Sequence, residues 1–152
     1  MKCVILAAGA GTRMLPLTET TPKPLIKISN KAILDYIVEA LPPDIDELVL
    51  VVSYLQENIR ADCGNTFHGL PVRYVMQGEP RGTAHALMQC KDLLQGKFLV
   101  MLGDDIHGKE ALARMARHDL ALLVAPSEHP ERFGVVSLNG DGTLAKIKKK
   151  PA

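Results

Sequence analysis

The chain has 152 residues, of which 47% are hydrophobic, so it is long enough and apolar enough to bury the core of one domain. Its 18 basic and 17 acidic side chains leave a net charge of +1, which excludes the strong field that draws a protein to nucleic acid or to an anionic membrane. No apolar run approaches the roughly 18 residues of a membrane span. We therefore expect a single domain, residues 1–152, that has neither nucleic acid nor a membrane as a partner.

Four short apolar runs predict buried strands, and they read "KCVILAA", "ELVLVVS", "VRYVM" and "KFLVMLG". The first is too short for the apolar region of a signal peptide. All four are continuously apolar, which is typical of a parallel sheet covered on both faces. Helical patterns follow them, over residues 31–41, 54–63, 82–94 and 108–118. This alternation predicts an α/β fold, a three-layer, doubly wound and mostly parallel sheet with right-handed crossovers.

The last third of the chain changes character. The run "DLALLVAPS", residues 119–127, predicts a fifth strand. Residues 133–150 predict a C-terminal β-hairpin, because the turn-forming residues 139–143 separate two β-rich flanks.

The three cysteines, Cys3, Cys63 and Cys90, are odd in number and far apart, with no C-x-x-C motif and no histidine at ligand spacing. This pattern favours buried free thiols in a reducing cytoplasm.

A glycine-containing turn, "AAGAGTRM", follows the first strand, at the edge where open α/β sheets bind ligands. Gly9 and Gly11 lack Cβ atoms, so the backbone can bring its N–H groups close to phosphate oxygens. A Walker loop would need a lysine followed by Ser or Thr, and a Rossmann fingerprint would need a small residue in place of Met14. A plain structural turn remains an alternative for an isolated G-x-G motif.

One cationic side chain lies in this turn and a second follows it. The Arg13 guanidinium can fork onto phosphate oxygens, and the Lys23 ammonium is a compact charge ten residues later. Three prolines between residues 16 and 24 restrict the loop and lower the cost of ordering it on binding. The segment therefore predicts a site for a nucleoside triphosphate.

The stretch "LAAGAGTRMLPLTETTPKPL" closely resembles the signature of the sugar-phosphate nucleotidyltransferases, the pyrophosphorylases that make nucleotide sugars. The resemblance continues through "QGEPRGTAHAL", "VMLGDD", "RFGVV" and the terminal "KP". It implies a Rossmann-like sheet and the transfer of a nucleotidyl group from a nucleoside triphosphate to a sugar 1-phosphate. A phosphate oxygen attacks the α-phosphorus and pyrophosphate leaves, so the enzyme neutralises charge and needs no nucleophile of its own.

By this resemblance, Arg13 and Lys23 stabilise phosphate charge, and Asp104 ligates Mg²⁺. These three form the predicted catalytic set, while Asp105 is expected either to shape the turn or to support Asp104 from behind the metal site. The resemblance also implies that the nucleotide is lined, mainly through the backbone, by Leu6, Ala7, Ala8, Gly9, Gly11 and Thr12.

Gln77 matches the family glutamine that reads the base, and Gly82 with Thr83 matches the turn that follows it. One amide offers both a donor and an acceptor to a pyrimidine imide edge, which favours UTP or dTTP. Without the resemblance, Gln77 would be an ordinary loop residue and the turn a helix start.

On the acceptor side, Gly134 matches the glycine that faces the sugar, and Lys150 matches the lysine that approaches the sugar phosphate. Lys149 stands where the family usually has a sugar-binding glutamate, which replaces an acceptor by a donor.

Members of the family usually run well past this point, so the resemblance implies that later segments are missing. We expect the 152-residue chain to turn over slowly or not at all, unless a homo-oligomer or a partner chain completes it. Two alternatives stay open, a non-catalytic nucleotide or nucleotide-sugar binding module and a compact cytidylyl- or guanylyltransferase.

Overall fold

The computed structural model describes residues 1–79 and 81–149. The strands, in chain order, are β1 (Lys2–Leu6), β2 (Lys27–Ile28), β3 (Lys31–Ala32), β4 (Glu47–Val52), β5 (Thr66–Phe67), β6 (Leu70–Met76), β7 (Phe98–Leu102), β8 (Gly134–Leu138) and β9 (Leu144–Lys149). The α-helices are α1 (Ile33–Glu39), α2 (Gln56–Cys63), α3 (Thr83–Met88) and α4 (Lys109–Met115). The four predicted strands are confirmed as β1, β4, β6 and β7.

These four strands are parallel neighbours in the order β6-β4-β1-β7, with the short antiparallel β5 beside β6. The register sets Val4 of β1 beside Val49 of β4 and Val100 of β7. The carboxyl ends of β1, β4 and β7 therefore meet at one edge of the sheet, where ligands bind in open α/β folds.

Both faces of the sheet centre are covered. On one face, Ala86 and Cys90, in and just after α3, pack in one cluster with Val4 and Val49. Successive side chains of a strand point to opposite faces. The alternate residues of β1 and β4 are also fully buried, namely Cys3, Ile5, Leu48 and Leu50. The predicted doubly wound α/β sheet is thus confirmed.

The four predicted helices are present but shorter than their sequence patterns. The largest difference lies in residues 82–94, where α3 ends at Met88 and a 3-10 turn follows at Lys91–Leu93. The amides of Cys90 and Leu93 bond to carbonyls three residues earlier, so the backbone tightens instead of continuing the α-helix.

The prediction of a fifth strand over residues 119–127 is wrong, because that segment has no regular secondary structure. A strand needs a neighbour for its backbone groups. The run is made mainly of leucine and alanine, so it also has little intrinsic preference for a strand. Most of its apolar side chains are exposed instead, and Leu120 is 95% exposed.

The chain forms two compact units, residues 1–119 and 120–152. The second contains the predicted hairpin, which is confirmed as antiparallel strands β8 and β9 joined through the Asn139–Thr143 turn. Across the described residues, no helix is long and apolar enough to cross a bilayer.

The three cysteines are buried free thiols, as predicted. Burial raises the pKa of Cys3 and of Cys63 to about 12 and also raises the pKa of Cys90. These thiols therefore stay protonated at neutral pH and have little nucleophilic character.

Two ion pairs join β1, β4 and β6 on the side of the sheet opposite the carboxyl ends of β1, β4 and β7. Glu47 of β4 accepts from the Lys2 ammonium at 2.9 Å and from the Arg73 guanidinium at 2.7 Å. The hydrogen bond from Arg73, followed by that from Lys2, lowers the pKa of the Glu47 carboxyl.

The variant Glu47→Gln should lower the free energy of unfolding at pH 7 by about 1 kcal/mol, because a partly exposed charged hydrogen bond is lost. Since the folded-state pKa is the lower one, this stabilisation is present above the unfolded-state pKa and is lost as pH falls through the folded-state value. Urea unfolding at several pH values should show the two proteins converging as the buffer is acidified. A constant difference at every pH would contradict this assignment.

Candidate functional site

A cleft of about 210 Å³ opens where β1 and β7 end. Most of its wall comes from three segments, namely the turn after β1, the proline-flanked Lys23 and the turn after β7. The lining residues are Leu6, Ala7, Gly9, Gly11, Thr12, Arg13, Met14, Lys23, Pro24, Gly103 and Asp104. All lie in the unit of residues 1–119, and most of the predicted site residues are among them.

Gly11 has a conformation that only glycine adopts readily. Its φ is +65°, and a Cβ built there would lie 2.8 Å from Cγ2 of Thr18. Thr18 is only 1% exposed, and its hydroxyl donates to the Gly11 carbonyl at 2.9 Å. The Met14 amide donates to the same carbonyl at 2.8 Å. The buried Thr18 side chain therefore supports the turn by contact with Gly11 and by the hydrogen bond from its hydroxyl.

Gly103 allows the segment that carries Lys23 to pack closely against the turn after β7, which carries Asp104. A Cβ at Gly103 would lie 3.1 Å from the Leu6 carbonyl oxygen and 3.1 Å from Cγ of Pro24. Its amide donates to that Leu6 oxygen at 3.0 Å, which ties the turn after β7 to the end of β1. Because the side-chain-free residue packs against Pro24, the neighbours Lys23 and Asp104 are brought to the same place.

Lys23 and Asp104 form an ion pair between the ammonium and the Oδ2 atom. Both side chains are partly open to solvent, at 26% and 35% exposure. The two residues are 81 positions apart in the sequence. The cleft thus holds a cation and an anion whose charges cancel, with the exposed Arg13 of the Thr12–Met14 turn on its wall.

Gln77, Gly82 and Thr83 form a second group that does not line this cleft. Gln77 follows β6, is 4% exposed, and donates from Nε2 to the Gly82 carbonyl at 3.2 Å. Gly82 precedes α3, which begins at Thr83. Ala8 of the glycine turn packs in one cluster with Ala86 of α3, so the two groups share a core.

The two residues predicted for the sugar-phosphate side lie elsewhere in the chain. Gly134 is the first residue of β8, in the unit of residues 120–152. Lys150 lies outside the described residues.

Thr18 and Gly103 belong to the architecture of the cleft and were absent from the residues predicted for it. Both stand inside motifs that carried the resemblance, "GTRMLPLT" and "VMLGDD". A small hydroxyl residue at a fixed distance after a glycine turn is a detectable signal for such a support. A glycine between a buried strand and an acid is a signal for close backbone packing.

The known proteins that match this chain belong to the family that its motifs resemble. The family model described as nucleotidyl transferase matches residues 2–152. The bifunctional protein GlmU of Methanococcus maripaludis is 34% identical over 152 residues, which are 99% of this chain and 36% of that protein. The Haloferax volcanii protein AglF, named as a UTP–glucose-1-phosphate uridylyltransferase, is 36% identical over 159 residues, 99% of this chain and 65% of its own length.

Among solved structures, a Bacillus anthracis protein assigned as a glucose-1-phosphate thymidylyltransferase superposes with a TM-score of 0.83. The match covers 99% of this chain and 65% of that one at 24% identity, so it supports the fold alone. This chain spans 36% of the GlmU relative and about two thirds of AglF. Because the family model covers nearly every residue, the chain belongs to the nucleotidyl transferase family.

Proposed function

We propose that the cleft binds a nucleoside triphosphate and that the chain takes part in nucleotidyl transfer to a sugar 1-phosphate. The observation that carries the proposal is the convergence of the glycine turn, Arg13, Lys23 and Asp104 on one cleft. Backbone N–H groups, a guanidinium and an ammonium are the donors that phosphate oxygens require. No side chain has to act as a nucleophile in this reaction.

The ion pair between Lys23 and Asp104 suits this role. Each partner is only partly buried, so exchange with an incoming ligand does not strand a charge in an apolar interior. A magnesium triphosphate offers the ammonium a phosphate oxygen and offers the carboxylate a metal ion. The two side chains would then separate without either losing a partner of opposite charge.

The donor set fits a magnesium ion that arrives with the nucleotide. In the described part of the chain, no cluster of three or more His, Cys, Asp or Glu could hold a metal ion by itself. Mg²⁺ is commonly held by one or two carboxylates together with substrate phosphates and water, and Asp104 lines the cleft. The ion would neutralise charge on the phosphates, while Asp104 fixes its position.

The variant Asp104→Asn should weaken binding of UTP roughly 10-fold in the presence of Mg²⁺, about 1.4 kcal/mol, because one anionic ligand is lost. With EDTA the same variant should bind UTP no more weakly than the wild type, since only a negative charge has been removed. Calorimetry in the two buffers makes this comparison. Asp105→Asn is the matched control, and equal effects of the two substitutions would refute the assignment to Asp104.

For the base, the proposal favours UTP or dTTP, read by Gln77 with Gly82 and Thr83 beside it. The burial of Gln77 and its bond to the Gly82 carbonyl support a fixed amide at this point. The name of AglF is consistent with UTP. On the sugar side we keep Gly134 and Lys150 as candidates for contact with the sugar 1-phosphate.

We further propose that residues 1–152 act as one nucleotidyltransferase domain, because the family model runs through both units. The three free thiols support a reducing, cytoplasmic setting. A homo-oligomer or a completing partner chain would supply sugar contacts in addition to those of Gly134 and Lys150.

A coupled pyrophosphate assay tests the proposed reaction. The chain is mixed with Mg²⁺, with UTP or dTTP, and with glucose 1-phosphate, N-acetylglucosamine 1-phosphate or mannose 1-phosphate. We expect any release to require a sugar phosphate and to stay below about 1 s⁻¹, the slow end of ordinary enzymes, because Lys149 stands in place of a glutamate that would accept hydrogen bonds from the sugar. Nucleotide binding without any release would favour a binding module, and faster turnover would contradict the interpretation of Lys149.

A further inference from the structure

His85 on α3 touches the amide that is proposed to read the base. Its Nδ1 atom lies 3.3 Å from Nε2 of Gln77, and its Nε2 atom lies 3.2 Å from Nε2 of Gln89. The sequence motifs gave this histidine no role. Its contact with a side chain that is 4% exposed makes it more than a surface residue.

The orientation of the Gln77 amide follows from its other neighbour. The Gly82 carbonyl, 3.2 Å away, can only accept a hydrogen bond, so the NH₂ end of the amide must face it. The second amide hydrogen then points to Nδ1 of His85, which must be an unprotonated acceptor. Both hydrogens of the amide are engaged within the protein.

The tautomer of His85 follows from the same geometry. Gln89 donates from Nε2 to the His85 carbonyl at 3.2 Å, which turns the NH₂ end of its amide toward His85. Since the NH₂ group of Gln77 faces Nδ1, both ring nitrogens of His85 then face NH₂ groups. A neutral imidazole has one acceptor nitrogen, and only one of the two contacts can be a hydrogen bond. Gln89 is exposed and can turn, whereas Gln77 is buried and cannot. The proton of His85 is therefore on Nε2.

We infer that His85 is a positioning residue that sets the base preference by presenting Gln77 as an acceptor only. This inference rests on the proposed nucleotide site. With both amide hydrogens engaged, Oε1 is the part of Gln77 left for a ligand. The imide N3–H of uracil or thymine can donate to it, whereas N3 of cytosine is itself an acceptor and would face it unpaired.

The test compares UTP, dTTP and CTP affinities of the wild type, His85→Leu and His85→Asn by calorimetry. Wild type should bind UTP at least tenfold more tightly than CTP. In His85→Leu the hydrogen bond to the Gly82 carbonyl is the one contact of the pair that still holds the Gln77 amide, so the amide rotates more easily and the UTP-to-CTP ratio should fall at least fivefold. In His85→Asn an Oδ1 atom takes the place of Nδ1, so the ratio should stay within twofold of wild type, which a loss of helix packing would not explain.

A second measurement does not depend on nucleotide binding. The ¹⁵N spectrum of the wild-type imidazole should show His85 with an unprotonated Nδ1 and a protonated Nε2. A proton on Nδ1, or an unchanged UTP-to-CTP ratio in His85→Leu, would overturn the inference while leaving the nucleotide site intact. Failure of the wild type to bind any of the three nucleotides would overturn the proposed site itself, whatever the tautomer.

Discussion

The variant Gly11→Ala should bind UTP at least tenfold more weakly than the wild type. At φ +65° the alanine side chain costs about 1–2 kcal/mol, because its Cβ crowds the following carbonyl. The new Cβ also comes within 2.8 Å of Cγ2 of Thr18, which is buried and cannot move aside. The turn must shift, and its N–H groups leave the positions from which they would contact phosphate oxygens.

Two further variants separate this cause from general damage. Gly9→Ala adds the same methyl group where nothing lies within 4 Å, so its free energy of unfolding should match that of the wild type. Thr18→Ser in the Gly11→Ala background removes the crowded Cγ2 atom but keeps the hydroxyl, so part of the affinity should return. Calorimetry with chemical unfolding gives both quantities, and full UTP affinity in Gly11→Ala would show that the turn does not hold phosphate.

The variant Lys23→Met should weaken UTP binding by about 10- to 100-fold, since hydrogen bonds to charged groups contribute about 1.5–3 kcal/mol. Methionine keeps most of the length of the side chain and removes its charge. The loss has two parts, because a phosphate partner disappears and the Asp104 carboxylate is left without its ion pair. The affinity can be measured with and without Mg²⁺ by calorimetry.

Lys27→Met is the matched control, because it makes the same change at an exposed lysine outside the cleft. It should change UTP affinity less than twofold. The double variant Lys23→Met/Asp104→Asn decides which part dominates. Recovery of wild-type affinity in that double variant would mean that Lys23 only neutralises Asp104 and makes no phosphate contact.

Much of the fold could be predicted because its signals are local. Continuous apolar runs marked β1, β4, β6 and β7, and the turn chemistry of residues 139–143 marked the hairpin. The wrong prediction of a strand over residues 119–127 shows where an apolar run fails as a signal. An apolar run describes what a segment could bury, whereas a strand also needs a partner backbone beside it.

The cleft could be predicted in part for a different reason. Gly9, Gly11 and Arg13 are neighbours in sequence, and the rule for strand ends in α/β sheets placed them at a ligand edge. The ion pair of Lys23 with Asp104 depends on the β1–β7 pairing, which brings together residues 81 positions apart. The support of Gly11 by Thr18 and the contact of His85 with Gln77 depend on side-chain packing, which no motif spacing describes.

The most direct test of the nucleotide cleft is calorimetric titration of the wild-type chain, in the presence of Mg²⁺, with UTP, dTTP, GTP, CTP and ATP in turn. The convergence of Gly11, Arg13, Lys23 and Asp104 predicts saturable binding of at least one triphosphate, with UTP or dTTP the tightest. The affinity should fall as the salt concentration is raised, because charge-assisted contacts contribute much of it. No binding of any of the five would contradict the assignment of this cleft to a nucleoside triphosphate.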